Sequence, residues 1–196
     1  RGDTSVTSVF IENGGIVTVD TAVNPVGQLT VGDANVTAGT LQIDASGVVD
    51  VDGSYTQSQA GMLQIELAGD APGQFGRIDV QDAIDLEGTL EIVLDGLFQP
   101  QAGDQFQILS GSSVTGTFDS EILPALSADF VWDMEYLATA VALDVLYAAD
   151  FNGDGSVDDL DLSQWQSSYG LSSADHSDGD ANGDGLVNGL DFLVWQ

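Results

Sequence analysis

The chain has 196 residues, of which 32 are Asp or Glu and only two are Lys or Arg, and its formal net charge at pH 7 is -30. Repulsion from phosphate excludes nucleic acid as a partner, and no apolar run approaches the roughly 20 residues of a membrane-spanning helix. Both basic residues are arginines and Cys is absent, which excludes thiol nucleophiles, disulfides and lysine-based catalysis.

The excess of negative charge predicts an extracellular or cell-surface protein. A net charge this far from zero destabilises a compact chain by self-repulsion unless cations neutralise part of it. Calcium-rich or salty media outside cells supply such cations, so we expect secretion. Because the chain begins with Arg1 and not with Met, we expect a mature product or a fragment of a longer parent chain.

A five-residue pattern recurs along the N-terminal part: Gly, any residue, an aliphatic residue, any residue, an aliphatic residue. Its copies begin at Gly15, Gly27, Gly39, Gly47, Gly61, Gly76 and Gly88. Alternation of aliphatic and polar residues predicts half-buried strands, and the leading Gly marks the bend before each. Similar units at similar intervals are typical of stacked coils, whereas a sandwich normally has tight hairpin signals such as Asn-Gly. The pattern therefore predicts a mainly β fold, with a β-solenoid favoured over a β-sandwich.

This region resembles the β-helical passenger regions of autotransporter-type and other bacterial surface proteins. The resemblance extends through residues 102–109, 114–118 and 139–145, which are similar to the closing part of such a domain. It implies a spacer or fibre element at a cell surface. The alternation stops after Tyr147, where Asp and Gly take over, so we place the boundary between a β-domain (1–147) and a C-terminal module (148–196) there.

Residues 150–161 and 180–191 both match the twelve-residue calcium loop of the EF-hand. Calcium takes roughly six to eight oxygen ligands, so such a loop returns an oxygen at alternate positions and turns sharply at a glycine in the sixth. The predicted metal ligands of the first loop are Asp150, Asn152, Asp154, the main-chain carbonyl of Ser156, Asp158 and Asp161. Those of the second loop are Asp180, Asn182, Asp184, the main-chain carbonyl of Leu186, Asn188 and Asp191. The alternative is that Asn-Gly-Asp-Gly is only a tight turn; the duplication favours two bound calcium ions.

The two loops agree further at three pairs of equivalent positions: Leu160 and Leu190, Trp165 and Trp195, Gln166 and Gln196. They resemble the paired repeats of type I dockerins, in which a calcium loop is followed by one helix and the first EF-hand helix is missing. Spacings of three and four residues predict a helix from about 159 to 169, with Leu162, Trp165, Gln166 and Tyr169 on one face, ended by Gly170. We expect a shorter second helix, and a strand contact between Val157 and Val187 at the eighth loop positions.

The dockerin resemblance implies a cohesin-like partner, recognised through the tenth and eleventh loop positions: Asp159, Leu160, Gly189 and Leu190. The small hydroxyl pairs of cellulosomal dockerins are absent from these positions. Calcium binding therefore transfers to this chain residue by residue, and cohesin binding does not.

Three functions stay open on the sequence. We favour an extracellular structural protein that self-associates into filaments, because no cap is visible before Gly15 and Val6–Ile11 is a further strand available for pairing. A module that docks onto a cohesin-like scaffold is the first alternative. A polysaccharide-active enzyme is the second, since paired carboxylates hydrolyse glycosides, but no catalytic residue is assigned. The single histidine, His176, lies in a polar linker and is expected to be exposed.

Overall fold

In addition to residues 38–196, the computed structural model describes the main chain of four N-terminal strands at Val9–Ile11, Gly15–Val19, Val23–Val26 and Leu29–Val31. The chain is mainly β, as predicted: within the described residues sixteen strands, numbered in chain order, form three sheets. Residues 6–8 of the predicted first strand, and the predicted repeat start at Gly27, lie outside the described residues.

Each of the three sheets is built mainly from every third strand of the chain, and the third sheet also contains β16. The first contains β1 (Val9–Ile11), β4 (Leu29–Val31), β7 (Tyr55–Gln57), β10 (Ala83–Leu86) and β13 (Ser113–Gly116). The second contains β2 (Gly15–Val19), β5 (Gly39–Ile43), β8 (Gly61–Leu67), β11 (Thr89–Leu94) and β14 (Ser120–Ile122). The third contains, in spatial order, β3 (Val23–Val26), β6 (Val48–Val51), β9 (Arg77–Val80), β12 (Gln105–Ser110), β16 (Ala140–Tyr147) and β15 (Phe130–Tyr136).

Strands β1 to β11 pair in parallel, each with the strand three places further along the chain. In the second sheet Gly15 lies opposite Gly39, and Gly39 lies opposite Gly61. Successive copies of the sequence pattern are closer together than these paired glycines, because the pattern falls on strands of all three sheets. Strands β3, β7 and β10 have no leading Gly and were not predicted.

The described core is made of aliphatic ladders that run across neighbouring strands of the second sheet. Leu41, Leu63 and Leu90 lie opposite one another in β5, β8 and β11, and all are buried. Each such side chain contributes about 1.5–3 kcal/mol when it is removed from water. The alternate residues face outward, where the Gln64 Nε2 donates to Glu91 Oε2 at 2.6 Å. This alternation is the period-two pattern seen in the sequence.

A buried polar pair interrupts the apolar core at β7. The hydroxyl of Tyr55 donates to Gln57 Oε1 at 2.8 Å, and the Gln57 amide nitrogen lies within 3.0 to 3.3 Å of the main-chain oxygens of Gly61, Glu87 and Thr89. Burial is tolerated because the amide finds partners on both of its atoms. Burial also raises the pKa of the Tyr55 hydroxyl above its ordinary value.

Strands β15 and β16 neighbour each other and are joined by three residues, so they form an antiparallel hairpin. The main-chain N–H of Val114 in β13 donates to Ala138 O in the hairpin connection at 2.9 Å. The Tyr136 hydroxyl donates to Glu121 at 2.7 Å and accepts the main-chain N–H of Phe118 at 3.2 Å. Burial, with Glu121 as the second cause, raises the pKa of Tyr136. The hairpin thus supplies partners to the last strand of the first sheet, an edge that would otherwise be open.

The chain divides into two compact units. The first comprises Arg1–Gln99, Gln105–Pro124 and Met134–Leu143, and the second comprises Pro100–Asp104, Ala125–Asp133 and Asp144–Gln196. The second unit contains two α-helices, α1 (Asp159–Ser168) and α2 (Gly189–Trp195), and a 3-10 helix at His176–Asp178. The predicted module 148–196 falls inside this second unit, and its boundary after Tyr147 stays a prediction. Among the described residues, no helix is both long enough and apolar enough to span a membrane.

Candidate metal centre

The first loop, residues 150–161, folds around its own acidic side chains. Asp150 accepts the main-chain N–H groups of Asp154 at 3.1 Å and Gly155 at 2.8 Å. Asp161 closes the loop from α1, since its two oxygens accept the N–H groups of Asn152 at 3.1 Å and Asp158 at 2.8 Å. The side chains at the first and twelfth positions therefore both bind the main chain of the same loop.

The remaining predicted ligands of the first loop lie between these two. Asn152 Oδ1 accepts the N–H of Asp154 at 2.9 Å, and Asp154 Oδ1 accepts the N–H of Ser156 at 3.0 Å. The Asp158 side chain accepts the N–H of Leu160 at 2.8 Å and is the N-cap of α1. The bonds connect the side chains of positions 1, 3, 5, 9 and 12 into one network through the main chain of the loop.

The second loop, residues 180–191, repeats this arrangement. Asp180 accepts the N–H groups of Gly183, Asp184 and Gly185 at 2.6 to 3.2 Å. Asp191 accepts those of Ala181 at 3.1 Å and Asn188 at 2.8 Å. The side-chain oxygens of Asn182, Asp184 and Asn188 also accept hydrogen bonds. Their donors are the main-chain N–H groups of Asp184, Leu186 and Leu190 respectively, each at 2.8 or 2.9 Å. Two separate segments of the chain therefore reach nearly the same hydrogen-bond pattern.

The sixth position of each loop needs glycine for its main-chain conformation. Gly155 has φ +84° and Gly185 has φ +77°, and a Cβ at either position would meet no heavy atom within 4 Å. Since space is open there, the requirement is the left-handed conformation itself, which other residues adopt only at a cost of about 1–2 kcal/mol. The sharp turn predicted for a calcium loop is present in both copies.

Four loop carboxylates are buried with no basic side chain as partner. Asp150, Asp161, Asp180 and Asp191 have between 0% and 3% of their surface exposed. The only Lys or Arg within residues 38–196 is Arg77, which pairs with Asp79 at 3.1 Å in the first unit. Buried carboxylates are normally paired with a cation or coordinate a metal, because an unbalanced buried charge is costly. Main-chain N–H groups offset part of that cost in both loops.

The predicted donors are all oxygens, from carboxylates, asparagine amides and main-chain carbonyls, and this is the ligand set of calcium and not of zinc. The described residues contain no group of three or more His, Asp or Glu side chains arranged as a metal site. The predicted ligands comprise four carboxylates in the first loop and three in the second, together with two and three amide or main-chain carbonyl oxygens respectively. The donor chemistry fits calcium, and binding stays a prediction.

A small core lies beneath the loops. It consists of Ala149, Phe151 and Ala181, with Trp165, Val194 and Trp195 packed against it. Four rings follow one another across the two repeats: Tyr169, Trp165, Phe192 and Trp195, with neighbouring centroids 5.1, 5.1 and 5.7 Å apart. The module is stabilised by aromatic packing between its repeats and by the bonds within each loop.

The helix predicted from about 159 to 169 is present as α1, Asp159–Ser168. Of the four residues predicted to share one face, Leu162 and Trp165 are half-buried, whereas Gln166 and Tyr169 are exposed. Gly170 follows the helix with φ +90°, in agreement with the predicted stop. Gln166 and Tyr169 are exposed although they share a face with Leu162 and Trp165, because the core beneath the loops is small and covers only part of that face.

The predicted strand contact between Val157 and Val187 is wrong. The N–H of Val187 donates to Leu171 O at 3.1 Å, and its carbonyl accepts the N–H of Gly170 at 2.8 Å. Val187 is buried while Val157 is exposed. The segment after α1 therefore takes the place that the first loop was expected to fill, since it returns directly alongside the second loop.

His176 is half-buried, not exposed as expected. Its Nε2 lies 3.2 Å from Ala148 O, and its ring packs on Phe151 with a centroid distance of 5.6 Å. The polar composition of the linker predicts a solvated segment, but the linker forms the 3-10 helix, and His176 packs on Phe151 of the first loop. No pattern in the sequence signals this contact.

The indole N–H groups of Trp165 and Trp195 were also missed. They donate to main-chain carbonyls at the ninth position of the opposite loop, Asn188 O at 3.0 Å and Asp158 O at 3.3 Å. Their recurrence at equivalent positions of the two repeats was the available signal, although composition alone does not say which atom an indole reaches.

No protein-family model matches the chain, and no curated protein matches it.

Proposed function

We propose that the protein is an extracellular, calcium-binding structural protein in which the C-terminal module is a dockerin-like pair of calcium loops. The observation that carries the proposal is the burial of a carboxylate at the first and twelfth position of both loops without a Lys or Arg partner. A calcium ion in each loop balances these charges and uses the oxygens that the loop gathers.

The β-rich part is proposed to be a β-solenoid. The support is the parallel pairing of each strand with the third one after it, together with aliphatic ladders that continue from strand to strand. Stacked coils of this kind suit a spacer or fibre element. The resemblance to autotransporter-type passenger regions belongs to the same proposal, and no catalytic residue is part of it.

The location outside the cell is supported by charge. A formal charge of -30 with one arginine in the described part favours a medium in which divalent cations are plentiful. Calcium loops of extracellular modules bind with dissociation constants of about 0.1 to 1 mM, which match such a medium.

A second candidate function is docking onto a cohesin-like protein. Leu160 and Leu190, which occupy the eleventh position of the two loops, are 61% and 56% exposed, and Leu193 in α2 is 65% exposed. Three large aliphatic side chains presented to solvent on one small module favour a protein partner. A pull-down of the chain on immobilised cohesins, with and without chelator, separates docking from a purely structural role.

The experiment for calcium is chelation followed by circular dichroism and limited proteolysis. Removal of calcium leaves the loop carboxylates to repel one another, so helix signal falls and cleavage appears within residues 148–196 while the strand signal persists. A double variant, Asp150→Asn with Asp180→Asn, should resemble the chelated protein. The matched control is Asp70→Asn with Asp95→Asn, which removes the same charge from exposed positions in the first unit. Spectra and cleavage that do not respond to chelator would refute the proposal.

A further inference from the structure

The two calcium repeats exchange a pair of indole hydrogen bonds. Trp165, on α1 of the first repeat, donates from Nε1 to the main-chain oxygen of Asn188 in the second loop at 3.0 Å. Trp195, on α2 of the second repeat, donates to the main-chain oxygen of Asp158 in the first loop at 3.3 Å. Each helix therefore holds the loop that precedes the other helix.

Both acceptor oxygens lie where a loop becomes a helix. Asp158 and Asn188 are the ninth residues of their loops and the N-caps of α1 and α2. Their main-chain N–H groups donate to the twelfth-position carboxylates of Asp161 and Asp191 at 2.8 Å. An indole bonded to the ninth carbonyl thus holds the residue whose own N–H binds the twelfth-position carboxylate, and both of these residues are predicted ligands.

The indoles are held in place by the rings between them. Phe192 lies 5.1 Å from Trp165 and 5.7 Å from Trp195, measured between ring centroids, and both tryptophans pack on the core beneath the loops. Neither indole can turn away from its carbonyl without disturbing this packing. When one repeat becomes ordered, its tryptophan is held in place. That tryptophan is the hydrogen-bond donor to the loop of the other repeat.

We propose that Trp165 and Trp195 are positioning residues that act crosswise, each ordering the calcium loop of the other repeat, so that the two ions bind with positive cooperativity. This inference rests on the calcium binding proposed above. The physical reason is linkage: the first ion orders its own helix and indole, and the second loop then loses less conformational entropy when it binds. The coupling is reciprocal, as thermodynamics requires of binding free energies.

The test uses chains in which one site is removed. Asp154→Ala leaves the second site and Asp184→Ala leaves the first, and the calcium affinity of each is measured by calorimetry. In the chain that keeps only the second site, Trp165→Phe should lower the calcium affinity about fivefold, the effect of one lost neutral hydrogen bond. In the chain that keeps only the first site, the same substitution should change the affinity by less than about twofold. Trp195→Phe should weaken the first site by a smaller factor, since its bond is longer and more exposed, and spare the second. Phenylalanine keeps the ring contact in both variants.

The crossed pattern separates positioning from general support. A tryptophan that only stabilises the module would weaken both sites equally, and that result would overturn the inference. Trp132→Phe, in β15 and outside the loops, is the matched control and should change neither affinity. Failure of both single-site chains and the intact chain to take up calcium would instead refute the proposed function itself.

A second measurement covers single-site chains that do not fold. In the intact protein with 15N-labelled tryptophan, calcium should slow hydrogen exchange at the indole N–H of Trp165 and Trp195, and the calcium isotherm should be steeper than that of independent sites. The double variant Trp165→Phe with Trp195→Phe should bind two ions without cooperativity. Independent binding in the wild type, or unchanged cooperativity in the double variant, would contradict the coupling.

Discussion

At the scale of single residues, Asp154 is a predicted ligand that can be replaced without disturbing the buried carboxylates of the loop. It is exposed, and its side chain accepts only local N–H groups, from Ser156 and the amide of Asn152. Asp154→Ala should therefore abolish the first calcium site and leave one ion bound per chain, since too few oxygens stay around the ion. Calorimetric stoichiometry measures this. Asp159→Ala removes the same charge at the exposed tenth position and should keep two ions; two ions in both variants would show that Asp154 is not a ligand.

Tyr55 gives the fold a defined sensitivity to alkaline pH. The chain has no Lys and no Cys, whose side chains would otherwise lose protons in the same alkaline range as an unfolded tyrosine. Burial raises the pKa of Tyr55, so the unfolded state releases the proton first and stability is lost as pH rises above about 10. Urea unfolding at pH 8 and pH 11 should show a large loss for wild type and a smaller loss for Tyr55→Phe. Tyr169→Phe, at an exposed position, should behave as wild type, and equal losses in all three would refute this origin.

Residue spacing predicted the turn at the sixth position and the start of α1 because both are set by residues within the loop itself. The indole bonds of Trp165 and Trp195 could not be predicted, since they depend on how two repeats cross in space. The contact of His176 with Phe151 was missed for the same reason. Val187 shows the limit most directly, because its partner is the segment after α1 and not the equivalent residue of the other loop.

At the scale of elements, Gly88 sets how closely neighbouring strands approach before β11. It has φ +72°, and a Cβ there would lie 2.5 Å from the main-chain oxygens of both Ser58 and Gly61. Gly88→Ala should lower the free energy of unfolding by more than about 2 kcal/mol, because backbone strain and a clash with main-chain atoms add. Gly73→Ala has a similar φ of +87° but open space, so it should cost only about 1 kcal/mol. Equal losses in urea unfolding would contradict the close approach.

The strands predicted from sequence were those with a leading glycine and a clean alternation, such as β5 and β8. Strand β7 was missed because it is short, and its inward positions are Tyr55 and Gln57 where aliphatic residues were sought. The three-sheet arrangement could not be predicted from the sequence pattern either, because its copies fall on different sheets and their spacing does not reveal which strands pair. The pairing of each strand with the third one after it is therefore visible only in the folded structure.

At the scale of the whole molecule, we propose that calcium promotes self-association. Strand β14 ends the second sheet, and all three of its residues are exposed, so it presents an edge to which another strand can add. The formal charge of -30 opposes contact between copies, and bound calcium lowers that repulsion. Analytical ultracentrifugation should show larger species in about 1 mM calcium, the range of extracellular modules, than in chelator. Ile122→Pro in β14 should abolish assembly because proline cannot pair at a strand edge, and the matched control Ile122→Ala should retain it. A sharp monomer of the wild-type chain in both media would reject self-association.

The measurement that tests the central claim most directly is calorimetric titration of the intact chain with calcium after treatment with chelator. We expect two ions per chain, with a steeper isotherm than independent sites give, and loss of all uptake in the Asp150→Asn, Asp180→Asn double variant. Absence of uptake by the wild-type chain, or two ions retained by the double variant, would contradict calcium binding at these loops.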